Sequence, residues 1–372
     1  MTKARKTLAL LAAALIAVST STTSAFAENI TQNEYEQRND KKVESVEEYA
    51  TKVISNHLYS QQCKYEDLQL SNIFDIYYPN GTASDYYVGF VTSNEKIIGE
   101  LAIKHEDDTF YSSFGYTSYP IVDKYINSGE PVAFVANGAE LAITNGKNYE
   151  TIYTDPYEVP FMDMKDCVTA LNKCGAYLST IDEKFDIEIA SISSYSATYH
   201  SNVSIVPNST TYNSSGQCWA SCVASKAMKE NNVWGTLTSD IVYHGVELAY
   251  GSVGSGKTRY QRGIGKYCGG AANTNTTEEV FGFSTVQSKT NGNVIIMRVV
   301  NTSDSTKKHA IILEGYDITD LITGSTYTIM DPNKTSYKTI DIGYAQYAIG
   351  QNVQYVASTA TTYKWFDSMY RA

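Results

Sequence analysis

Three apolar runs in the second half of the chain set the pattern of the whole. Asn293–Val300 is apolar and β-branched and reads as a strand. A polar turn over residues 301–308 leads to a second run, His309–Asp317, and after a loop a third, Tyr327–Met330, ends in Asp331-Pro332-Asn333. Upstream the period changes. From Cys218 to Asn231, Trp219, Cys222 and Val223 recur at helical spacing while Lys226, Lys229 and Glu230 fall on other faces, which predicts a helix. Asp240–Tyr250 reads as a second, amphipathic helix.

The first half alternates more tightly. Ser45-Val46-Glu47-Glu48 resembles a capping box, and Val46, Tyr49, Val53 and Ile54 give the helix that follows its apolar face. Strands are predicted at Ile73–Tyr78, Tyr86–Thr92, Ile97–Lys104 and Thr109–Phe114, with turns at Asn80-Gly81 and Asn94-Glu95. A helix over residues 121–128 and a hairpin, Val132–Ala136 to Glu140–Thr144, complete an α+β set with enough apolar material for its own core.

Charge divides the chain at about the same place. Residues 28–195 hold 28 Asp and Glu against 12 Lys and Arg, and residues 196–372 hold 12 against 14. Two lengths with such different balances predict two domains, joined through a Ser- and Tyr-rich segment, residues 189–204, open to proteolysis. The acidic half and the lack of a long basic run argue against nucleic acid as a partner. At the start, Lys3, Arg5 and Lys6 precede an apolar core, Leu8–Val18, and the A-x-A triplet Ala25-Phe26-Ala27. This is the pattern of a secretory signal peptide cleaved after Ala27, and its core is too short for a membrane anchor.

The chemistry centres on Ser215-Gly216-Gln217-Cys218-Trp219-Ala220-Ser221. A thiol at the first turn of a helix meets the partial positive charge of unpaired N–H groups, which favours the nucleophilic thiolate. The alternative is a packed cysteine in an ordinary amphipathic helix. Partners shift the balance. His309 opens an apolar strand, and Asp331 ends another, where a carboxylate can orient an imidazole and stabilise its charged form. Cys, His and Asp in this order supply nucleophile, base and orienter for acyl transfer.

The cysteine segment resembles the papain-like signature C-G-[SA]-C-[WY], with Ser215 in place of the first cysteine and Gln217 in place of the small residue. "HAIILEGYD" and "YTIMDP" look more like the bacterial branches of that superfamily, the bacteriocin-leader peptidases and plant-pathogen effector proteases. The resemblance covers roughly the last half of the chain. It implies a papain-like catalytic domain over residues 196–372, an N-terminal catalytic helix packed against an antiparallel sheet, preceded by a small α+β prodomain over residues 28–195. It also implies that Asp331, with Asn333 as fallback, is the third triad member. Family members carry an oxyanion-binding glutamine six residues before the cysteine; here that position is Tyr212, and Asn213 and Gln217 are the substitutes beside the Cys218 N–H.

The reading that follows is a secreted thiol endopeptidase made as a zymogen. It acts on protein or peptide substrates, is inhibited by its own propeptide, and needs no cofactor or metal. Two alternatives keep part of it: a transglutaminase-like acyltransferase with the same triad, and a catalytically inactive papain-like binding module. An accessory domain retained in the mature protein is the alternative to a propeptide. Of the six cysteines, Cys222 reads as a packed core residue, and a Cys222–Cys268 bridge is open. Residues 251–258 match the P-loop pattern, but the predicted helix before them stands where that motif needs a strand, so they read as a loop. His57, His105, His200 and His244 are the competing bases, and His244 falls on a helix.

Overall fold

The strands predicted from apolar runs form, and each run is explained by what covers it. The computed structural model describes residues 45–371, apart from 61–62, 139, 155–159, 175–183, 188–196, 210–216, 232–236, 269–273, 278–279, 291–292, 319–324, 335, 343–352 and 359–360. The signal-peptide reading therefore lies outside the described residues. In the first half, helix α1 (Val46–Ser60) is followed by strands β1 (Leu68–Ser71), β2 (Phe74–Tyr77), β3 (Ala83–Ser93), β4 (Lys96–Glu106) and β5 (Thr109–Tyr116). Helix α2 (Pro120–Ser128), strands β6 (Ala133–Asn137), β7 (Glu140–Thr144) and β8 (Tyr149–Thr154), helix α3 (Met164–Cys174) and strand β9 (Lys184–Asp186) come next.

The second half begins with strand β10 (Ala197–His200) and helices α4 (Cys218–Glu230), α5 (Ser239–Tyr250) and α6 (Lys257–Tyr267). Strand β11 (Thr274–Thr277) and helix α7 (Phe283–Thr290) lead to β12 (Ile295–Asn301), β13 (Lys308–Ile318), β14 (Ser325–Met330), β15 (Lys338–Asp341), β16 (Gln354–Ser358) and β17 (Thr361–Arg371). Strands β12 and β13 are apolar at successive positions because both of their faces are buried. Ile296, Ala310 and Ile312 join the core under α4, α5 and α6, whereas Ile295, Met297, Val299, Ile311 and Leu313 join a second core with Phe283 and Val286 of α7.

The expected fold class is overturned by the sheet. In place of a papain-like helix on a small antiparallel sheet, preceded by a separate prodomain, the strands of both halves join one large mixed sheet with few helices. Antiparallel pairings run from β1 and β2 through β3, β4 and β5, then across to β15, β14, β13, β12 and β17, with β16 beside β17. Strand β6 adds to β2 in parallel. The crossing pairs Thr339 with Phe114 and Ile340 with Ser113. Side chains reinforce it: His57 of α1 hydrogen-bonds Thr339 at 2.8 Å, the Tyr86 and Thr362 hydroxyls meet at 3.0 Å, and Ser113 donates to the Val356 carbonyl at 2.5 Å. Residues 46–372 form one compact unit.

The segment expected to be an open junction differs too. Residues 189–196 lie outside the described residues, but Ala197–His200 is a strand paired with Gly315–Ile318, and Ser201 and Val203 behind it are buried. A four-residue strand leaves no periodicity to read.

Candidate active site

Cys218 is the first residue of α4, a helix buried from Cys218 to Met228. Trp219 packs beside Tyr243 of α5 and Tyr260 of α6, with ring centroids 6.1 and 6.4 Å away. Gly263 lets α6 come this close, since a Cβ there would meet Val223 and Trp219 at 3.1–3.2 Å. A lysine inside such a helix needs partners, and Lys226 has two: Glu230 at 2.6 Å and the Val294 carbonyl at 2.9 Å.

His309 lies near the start of β13, opposite Val299, and is 6% exposed. Ile312 pairs with Met330, so Asp331, just past the end of β14, arrives beside the histidine. The His309 Nε2 meets Asp331 Oδ1 at 2.7 Å, which leaves Nδ1 for the thiol of Cys218, hydrogen-bonded to the same ring. The Ala310 N–H also donates to that thiol. Asp331 accepts two further bonds, from the Tyr355 hydroxyl at 2.9 Å and the Asn333 N–H at 2.8 Å. Asn333, the fallback for the third position, turns its side chain to Asn208, which in turn accepts from Ser221 of α4. The loop that carries Asp331 is thereby tied to the helix that carries Cys218.

The charges reinforce one another. Burial alone would raise the Cys218 thiol, but the charge and hydrogen bond of His309 outweigh it and bring the thiol below its ordinary value. Burial opposes the His309 imidazolium as well, yet Asp331 and Cys218 raise it to about 10. Asp331 is held down at about 2, since His309 overcomes the burial that would raise it. The arrangement therefore favours a thiolate–imidazolium pair oriented by a carboxylate, the state from which a thiol attacks a carbonyl carbon. Cys222, one turn on, has no such partner: burial drives its thiol well above the ordinary value. No disulfide joins Cys222 to Cys268.

The remaining expectations fall in different places. Tyr212, Asn213, Ser215 and Gly216 lie outside the described residues. Gln217 is 2% exposed, and neither its side-chain oxygen nor its nitrogen has a hydrogen-bond partner among the described residues. His57 is enclosed between Thr339 and Ser112, His105 stacks on Phe110, His200 is held by Glu314 and Asp317, and His244 pairs with Glu247 on α5. The P-loop-like segment follows helix α5, capped by Gly251 at φ 74°, so the strand that motif requires is absent there. Sequence reasoning did not single out Tyr355 or the Ala310 N–H. A single tyrosine among 31 gives no signal, and a main-chain donor gives none at all.

No model of a known protein family matches the chain, and no curated protein is similar to it.

Proposed function

We propose that the chain is an exported cysteine endopeptidase. His309 and Asp331 hold the Cys218 thiolate, which attacks a peptide carbonyl to give a tetrahedral oxyanion. The Cys218 N–H and the Gln217 side-chain amide stabilise that oxyanion, with Asn213 as the second candidate donor. His309 then protonates the departing amine, and water, deprotonated by His309, hydrolyses the thioester. The observation that carries the reading is the continuous contact from Cys218 through His309 to Asp331, with the thiol drawn below its ordinary pKa. Export rests on the leader pattern of residues 1–27.

The test follows intact mass over time for residues 28–372 as wild type and as Cys218→Ala. The wild type is expected to split N-terminal to β10, within residues 188–196, because Ala197–His200 is paired into the sheet. The variant is expected to stay whole. If both stay whole under reducing conditions, self-processing fails, and a peptide library read for hydrolysis against amine incorporation then decides between peptidase and acyl transfer.

A further inference from the structure

A second polar cluster adjoins the loop that carries Asp331, with Asn333 and Lys334 of that loop in its wall. It is a pocket of about 220 Å³, and its walls come from both halves of the chain. Glu100, Tyr119 and Tyr153 line it from one half; Asn333, Lys334 and Lys338 line it from the other. Its wall carries two ammonium groups and one carboxylate. Neither lysine has an ion-pair partner among the described residues, and the one carboxylate in the wall, Glu100, accepts the Tyr119 hydroxyl. Lys338 lies flat over Gly115, where a Cβ would meet its Cδ at 2.4 Å, so its ammonium is fixed in place by the β5–β15 crossing. Lys334 rests over the Tyr153 ring, its nitrogen 5.5 Å from the centroid.

Burial depresses the Lys338 ammonium, the charge of Glu100 opposes this, Lys334 adds to it and Asp331 opposes it again, so that the two ammonium groups feel one another across the pocket. The chain has 40 Asp and Glu, so carboxylates are abundant, yet only one stands in this wall. Leaving two ammonium groups at the wall of a small open pocket costs energy that a bound anion would recover.

We propose that this pocket binds a small oxyanion, a carboxylate or a phosphate, between Lys334 and Lys338. The site is distinct from Cys218, and the proposal stands whether or not that residue is catalytic. Because the pocket spans the crossing between β5 and β15, its ligand also links the two halves.

The test is calorimetric titration of the full chain with inorganic phosphate and, separately, with succinate, ionic strength being held constant with sodium chloride. At least one titrant is expected to saturate a single site. Lys334→Gln and Lys338→Met are each expected to weaken that binding about tenfold or more, the loss of one charged hydrogen bond. Lys147→Gln, at an exposed position elsewhere, should bind as the wild type does. Saturation by phosphate alone or by succinate alone identifies the source of the oxyanion. If neither titrant saturates, or if Lys334→Gln binds as tightly as wild type, the proposal fails. Circular dichroism checks that each variant folds. Lys334→Gln decides the matter if Lys338→Met does not, since it leaves the crossing untouched.

Discussion

Gln217 places a polar amide in a buried position with nothing described to bond it, beside the residue proposed as nucleophile. Such a group costs about 1–3 kcal/mol of stability, so its replacement by an apolar side chain of similar shape should stabilise the fold. Gln217→Met is therefore expected to raise the melting temperature and at the same time lower kcat about 100-fold, as loss of an oxyanion donor does. A gain in stability with no loss of rate would remove Gln217 from the mechanism. The Cys218–His309 pair makes a second prediction. The thiolate is lost as pH falls through its lowered pKa, and the imidazolium is lost as pH rises through about 10. Alkylation of Cys218 by iodoacetamide should accordingly begin at lower pH than for an ordinary thiol, and proteolysis should follow a bell whose alkaline limb lies near 10. His309→Ala should move the alkylation profile to higher pH than that of an ordinary thiol, since burial then acts with only the Ala310 N–H against it.

Among the elements, legibility followed the range of the contact. The helix at Cys218 and the strands at His309 and before Asp331 were readable because each sits in an apolar run whose period is local. Strand β17 was not. Lys364, Asp367 and Arg371 interrupt it, and Asp367 looks like a solvent residue until Arg298 of β12 is seen to pair with it at 2.6 Å. Strand β15 is four residues long, and its partner Ser113–Phe114 lies more than two hundred residues earlier, beyond the reach of any pattern. The short strand β10 depends on a single glycine. At Gly315 a Cβ would meet the Tyr199 carbonyl at 2.4 Å and His200 Nδ1 at 2.6 Å. Gly315→Ala should push β10 off β13 at a cost of about 1–3 kcal/mol. Limited proteolysis should then cut within residues 197–204, where the wild type resists.

Across the whole molecule, the crossing of β5 with β15 is what no sequence pattern carries, and the papain-like fold class fails for that reason. Three local motifs resembled one domain, but no local signal shows that two halves share a sheet. His57 offers a way to measure how tightly they are joined. Burial lowers its pKa from 6.5 to about 3, so the folded protein keeps it neutral between Thr339 and Ser112. The unfolded chain takes up that proton near pH 6.5. The stability His57 contributes is thus fully present above 6.5 and is lost as pH falls toward 3. The difference in melting temperature between wild type and His57→Gln should be largest near pH 8 and shrink toward pH 4. A cut N-terminal to β10 is likewise expected to leave the fragments together in size-exclusion chromatography, since the pairing of β5 with β15 is untouched.

Strand β17 has a consequence for timing. It is the common partner of β11, β12 and β16, and it follows all three in order of synthesis. Until Arg371 has left the ribosome, the strand bearing His309 rests on a neighbour, β12, whose other edge is bare. The sheet around His309 is therefore completed only when β17 has paired with β12. A chain stopped short of Thr361 would leave that edge of β12 open to pairing with another chain.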